Sequence, residues 1–96
     1  MSPAVQTLHV QVRGFVQGVG YREFCVDEAR RLGVCGWVRN RRDGTVEAML
    51  QGDPARVHAL CERLREGPPA ARVDTLDLSV ADPAVTFDRF ERRPSA

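Results

Sequence analysis

Residues 8–22 run Leu8-His9-Val10-Gln11-Val12-Arg13-Gly14-Phe15-Val16-Gln17-Gly18-Val19-Gly20-Tyr21-Arg22. From Thr7 the pattern alternates, with Leu8, Val10 and Val12 on one side and His9, Gln11 and Arg13 on the other. Period two with β-branched residues predicts a half-buried strand. The strand runs into a loop holding Gly14, Gly18 and Gly20. A helix is expected over about residues 22–32, where Phe24, Cys25, Ala29 and Leu32 share a stripe and Arg30 and Arg31 fall in the last turn. Gly33 is a natural stop for it.

Working outward, a second strand is expected over about residues 35–41. Asp43-Gly44 is a hairpin turn signal, and a third strand follows over about 45–51 with Val46, Ala48 and Leu50 on one face. Asp53-Pro54 reads as an N-cap with proline at the first helical position. Val57, Leu60, Cys61 and Leu64 then mark a second helix, closed by Gly67-Pro68-Pro69. A fourth strand is expected over about 72–80, a short fifth over 85–90, and a polar tail over 91–96. The order β-α-β-β-α-β packs most economically as an α+β, ferredoxin-like sandwich. Its sheet would be antiparallel, of four to five strands in the order 4-1-3-2, with both helices on one face. Residues 1–96 are read as a single domain with a core over about 7–91, because 96 residues suffice for one core.

Composition narrows the function. Hydrophobic residues are 43% and charged residues 28%, the balance of a folded domain rather than a disordered one. A net charge of +1 supplies no broad basic field for nucleic acid. All 14 basic residues are arginine, which excludes a Schiff-base or P-loop lysine. Cys25, Cys35 and Cys61 form an odd set without a CxxC spacing, so buried core thiols are expected rather than a disulfide framework or a nucleophile. No apolar run suits a secretory leader or a membrane span, and a cytoplasmic protein is expected.

The glycine loop is the first candidate site. Its glycines let backbone N–H groups converge, the helix start adds free N–H groups and a positive dipole end, and Arg22 adds a planar fork of donors. Together they would form an anion cradle suited to phosphate. The loop alone fits a structural turn beside a surface arginine equally well. Rival motifs fail. Glu23 stands where a dinucleotide fingerprint needs its third glycine, and Val16 and Gln17 break an RNA-recognition signature.

Gly14-Phe15-Val16-Gln17-Gly18-Val19-Gly20-Tyr21-Arg22 resembles the first acylphosphatase signature, and Gly36-Trp37-Val38-Arg39-Asn40, with Gly44, Val46 and Gly52, resembles the second. The resemblance covers about residues 7–91. Tyr21 departs from it slightly, standing where phenylalanine or methionine is more usual. The resemblance implies hydrolysis of acyl phosphates to carboxylate and inorganic phosphate, without metal or cofactor. It puts the catalytic arginine on Arg22 and the catalytic asparagine on Asn40. The phosphate-binding backbone falls on Phe15, Val16, Gln17, Gly18, Val19 and Gly20. The chemistry is consistent with these roles. The leaving carboxylate belongs to an acid of pKa roughly 4–5 and needs no general acid. A loose phosphoryl transition state asks for positioning and charge rather than early deprotonation of water. An asparagine amide can accept from water and donate to phosphate at once.

Other residues read more simply. His9 and His58 are expected at the surface, and Trp37 in sheet packing. Asp27, Glu28, Glu62 and Glu66 fit helix surfaces, with no metal-ligand spacing among them. Arg39, Arg41 and Arg42, with Arg13, are either solvated hairpin charge or a patch that attracts an anionic substrate. Two alternatives to a standalone monomeric enzyme stand: a silent phosphate-binding module, and an excised domain of a larger carbamoyl-transferring protein. No nucleic-acid or membrane partner is expected.

Overall fold

Strand β1 (Gln6–Phe15) forms where the alternation predicts it, with Leu8, Val10 and Val12 buried and His9 and Gln11 on the opposite face. It sits between β3 (Val46–Gly52) and β4 (Arg72–Val80), antiparallel to both. Strand β2 (Cys35–Asn40) pairs antiparallel with the far side of β3. The structure, a computed structural model, describes residues 5–82 and 84–96. With β5 at Phe90–Arg92, its sheet order is β4-β1-β3-β2-β5, so the expected 4-1-3-2 core is present with one strand added.

That added strand differs from expectation. β5 covers Phe90–Arg92, not residues 85–90, and pairs parallel with β2, so the sheet is mixed rather than wholly antiparallel. The direction follows from connectivity. β4 runs opposite to β1, so the chain leaves it at the end of the sheet where β2 begins. A single crossing along that end then returns it beside β2, running the same way. On the way, the Gln51 amide accepts from Phe87 N–H and donates to the Val85 carbonyl, so this side chain occupies the backbone groups a ladder would use. The 91–96 stretch, expected as a polar tail, is tied to the sheet. Arg93 N–H donates to the Val38 carbonyl and Ala96 N–H to the Asn40 carbonyl, extending the pairing along β2.

Helices α1 (Tyr21–Leu32) and α2 (Pro54–Glu66) cover the face that carries Val10, Val12, Val38, Val46, Ala48 and Leu50. The Asp53 carboxylate caps α2 by accepting from the N–H groups of Ala55 and Arg56. Tyr21 is fully buried, and its hydroxyl donates to the Leu64 carbonyl at 2.7 Å. That carbonyl would ordinarily accept from residue 68, but Pro68 has no N–H. The tyrosine at the start of α1 therefore completes the end of α2, which a phenylalanine there would not do.

Candidate active site

The ladder between β1 and β4 shifts register between Arg13 and Gly14. A bulge there bends the strand and re-aims the residues beyond it. Gly14 has φ +136°, and a Cβ on it would lie 2.2 Å from the Arg72 carbonyl oxygen, so only glycine allows this approach. The chain then turns through Gly18 and Gly20, both in the left-handed region, and enters α1 with Gly20 as an N-cap that offers no side chain. The first N–H of the helix to find a carbonyl is that of Phe24, bonded to Gly20. Among the described residues, no backbone N–H from Val16 through Glu23 meets an acceptor. This run of free donors lies at the positive end of the α1 dipole.

Asn40 reaches the loop because β3 starts late. In register, Val12 of β1 faces Val46, and Val46 faces Asn40, so the first residue of β3 is all that separates the two outer strands at this level. β1 runs on beyond Val12, and the loop after it curls over the start of β3. Gln17 fastens it there. Its amide nitrogen donates to the Arg41 and Thr45 carbonyls, both at 2.8 Å, on the two sides of the β2–β3 turn. The turn is stiffened from within, since the Asp43 carboxylate accepts from Thr45 Oγ1 at 2.7 Å and Thr45 N–H at 3.0 Å. Those bonds hold the Asp43 carboxyl below its ordinary pKa.

The result is a cavity of about 220 Å³ lined by Val16, Gly18, Gly20, Arg22, Asn40 and Arg92, with Tyr21 and Glu23 beside them. The structure thus gathers Arg22, Asn40 and half of the expected loop. Phe15, Gln17 and Val19 do not line it. Phe15 ends β1 beside Arg72 with its ring exposed, Gln17 turns to the hairpin, and Val19 packs against the core. Among the described residues no group hydrogen-bonds the Arg22 guanidinium, and the buried Asn40 Oδ1 also has no partner. A buried amide oxygen without a donor is costly. Asn40 itself lines the cavity with Arg22 and the loop glycines.

Two residues that shape the cavity are not legible as such in the sequence. Arg92 lies in the stretch expected to be a polar tail, and nothing in its local pattern foretells the β5 pairing. Gln17 is expected to act through its backbone, whereas its side chain makes the tertiary bond. Its place amid small and apolar loop residues is the available signal.

The remaining candidates lie elsewhere. On the open face of the sheet, Glu47 takes His9 and Arg39 at 2.7 Å and Arg41 at 3.3 Å. Burial pushes the Glu47 carboxyl up, but hydrogen bonds from His9 and Arg39 outweigh it and leave the pKa lowered. Two of the hairpin arginines thereby share one carboxylate, while Arg42 and Arg13 stay exposed. Trp37 is buried, with the Arg39 and Arg93 guanidinium groups 4.8 and 5.0 Å from its ring centre. Cys25 and Cys61 are core residues whose thiols burial pushes up, the opposite of activation. Cys35 is half-buried and His58 exposed. Glu28 is not the helix-surface acid expected. It is nearly buried and takes Arg31 at 2.6 Å and Arg63 at 2.7 Å.

A family model described as acylphosphatase matches residues 8–92. The chain is 56% identical over 93 residues to a curated protein of Ralstonia nicotianae named acylphosphatase 1, covering 96% of this chain and 91% of that one. The crystal structure of acylphosphatase from Bacillus subtilis superposes with a TM-score of 0.89 at 30% identity, covering 94% of this chain and 99% of that one. Full-length HypF, solved in a phosphate- and nucleotide-bound form, contains the same fold, with a TM-score of 0.90 at 23% identity. This chain matches only 12% of that protein's length.

Proposed function

The chain belongs to the acylphosphatase family and carries its activity, and from that premise we propose that the 16–20 loop backbone and Arg22 hold the phosphoryl group while Asn40 orients the attacking water. The observation that carries the reading is that Arg22, Asn40 and the loop glycines Gly18 and Gly20 line one cavity, with no described group bonded to the Arg22 guanidinium. An acyl phosphate would seat its phosphoryl oxygens on the free N–H groups and the guanidinium fork. These donors are fixed before the substrate arrives, so they stabilise charge building on the equatorial oxygens without reorganising. Asn40 Oδ1 accepts from a water and aims its lone pair at phosphorus. The new P–O bond forms as the bond from phosphorus to the acyl oxygen breaks. The carboxylate departs with the electron pair, and the water's proton passes to the phosphate or to solvent.

This scheme needs no general acid, because the leaving group is already a stable anion. It needs no metal, because the cradle supplies the charge stabilisation. We read the protein as a cytoplasmic monomer. Three free cysteines suit a reducing compartment, and no helix among the described residues is long and apolar enough to cross a membrane.

The test is hydrolysis of benzoyl phosphate in excess EDTA by wild type, Arg22→Ala and Asn40→Ala. Wild type should turn over. Arg22→Ala should lose both turnover and phosphate binding, since it removes the fork. Asn40→Ala should lower kcat by about 10²-fold or more, the scale for one misplaced catalytic group, with a small change in phosphate inhibition. Equal losses of kcat and phosphate binding in Asn40→Ala would defeat the water-orienting role.

A further inference from the structure

The mouth of the cavity carries a second arginine that the scheme above does not use. Arg92, the last residue of β5, lines the cavity together with Arg22 and Asn40, and its guanidinium is bonded to the Glu23 carboxylate. Arg92 and Glu23 have side chains 51% and 61% exposed, so water screens their attraction and the pair holds weakly. Glu23 also sits in the first turn of α1, where the helix dipole favours a negative charge without any partner. The bond is therefore easily exchanged. With phosphate on the loop and Arg22, the acyl part of the substrate must leave through the mouth, past Glu23 and Arg92. A neutral acyl group finds no polar partner there. One that ends in a carboxylate meets a guanidinium fork of the right shape and charge.

We propose that Arg92 is a specificity-determining residue that exchanges Glu23 for a carboxylate on the acyl group, so that this enzyme favours acyl phosphates carrying a second negative charge. The inference rests on the proposed placement of phosphate at the loop and Arg22. Glu23 acts as the counterweight, holding Arg92 when the site is free and opposing an anionic acyl group that fails to displace it.

The test compares kcat/KM for 3- and 4-carboxybenzoyl phosphate with that for benzoyl phosphate, whose rigid rings keep the extra carboxylate from attacking its own phosphoryl group. The readout is the ratio of charged to neutral substrate. Arg92→Gln should lower that ratio about tenfold for at least one isomer, or about 1.4 kcal/mol. Arg92→Lys should keep part of it. Glu23→Gln should raise it, because the arginine is then released. Raising salt from 0.01 to 0.5 M should lower the wild-type ratio and leave that of Arg92→Gln unchanged. If Arg92 only ties β5 to α1, Arg92→Gln lowers the melting temperature and depresses both substrates equally, and the proposal is overturned. Loss of the underlying phosphate placement reads differently, as an Arg22→Ala variant that still hydrolyses benzoyl phosphate.

Discussion

Replacing Gln17 tests whether the phosphate loop and the Asn40 hairpin act as one rigid unit. The Gln17 amide gives its two hydrogens to the Arg41 and Thr45 carbonyls, each at 2.8 Å. Neither carbonyl depends on it alone, because Arg41 O also accepts from Gly44 N–H at 3.2 Å and Thr45 O from Arg41 N–H at 2.8 Å. Gln17→Ala therefore orphans nothing and forfeits two net hydrogen bonds, about 2 kcal/mol in all. For a domain of this size that is a fall in melting temperature of about 10 °C. The kinetic effect should be larger in kcat than in phosphate binding. The loop still presents its N–H groups to phosphate, but its distance from Asn40 is no longer fixed, and small misplacements can cost about 10²-fold. Gln17→Glu sharpens the argument. It keeps the size but replaces two donors with a carboxylate facing two carbonyl oxygens, so it should be slower and less stable than Gln17→Ala at pH 7. Steady-state hydrolysis of benzoyl phosphate, competitive inhibition by phosphate and thermal unfolding measure all three quantities. A Gln17→Ala enzyme of wild-type kcat, or a Gln17→Glu enzyme as active as wild type, would refute the coupling.

Tyr21→Phe should remove the one donor available to the Leu64 carbonyl and lower stability by about 1–3 kcal/mol, seen in denaturant unfolding; an unchanged midpoint would mean the carbonyl finds another donor. Glu28 predicts acid sensitivity. Hydrogen bonds from Arg31 and then Arg63 hold its carboxyl below the ordinary range against an opposing effect of burial. The unfolded chain therefore takes up this proton first, near pH 4.3, and the stabilisation, full above that pH, is lost as pH falls through the lower folded value. The melting temperature of Glu28→Gln should vary less than that of wild type between pH 5 and 2.5, and parallel curves would show that Glu28 contributes nothing.

What the sequence disclosed and what it withheld differ in range. The strand alternation at Leu8, Val10 and Val12, the glycine stops, the Asp53-Pro54 cap and the Asp43-Gly44 turn all act within a few residues, and each is where it was expected. The crossover order then placed Asn40 opposite the loop. The Gln17 clamp, the Tyr21 cap on α2, the Glu28 pairing and the Arg92–Glu23 bond join residues 24 to 69 positions apart. Such bonds depend on strand register and helix rotation, which a local pattern leaves open. β5 is the plainest case. Phe90 is driven into the core by its own apolar area, and Glu91 and Arg92 become a strand only because Phe90 is anchored beside Gly36.

The distribution of charge explains how a chain of net charge +1 builds an anion site. Arg31 and Arg63 are tied to Glu28, Arg39 and Arg41 to Glu47, and Arg72 to Asp74, whereas no described carboxylate answers Arg22. Much of the positive charge elsewhere is thereby offset by carboxylates, while that of Arg22 stands beside the free N–H groups of the loop, where it adds to the helix dipole. The same economy has a kinetic consequence. Among the described residues no histidine or cysteine lines the cavity, and burial holds the Tyr21 phenol well above its ordinary pKa while its hydroxyl is engaged with Leu64. Glu23, the one carboxyl among the described residues that line the cavity, is bonded to Arg92. With no group left to exchange a proton near neutrality, kcat for benzoyl phosphate should be flat between about pH 6 and 8. A bell-shaped profile of kcat in that range would reveal an acid or base at the reacting atoms, and the assignment of the water to Asn40 would have to be abandoned.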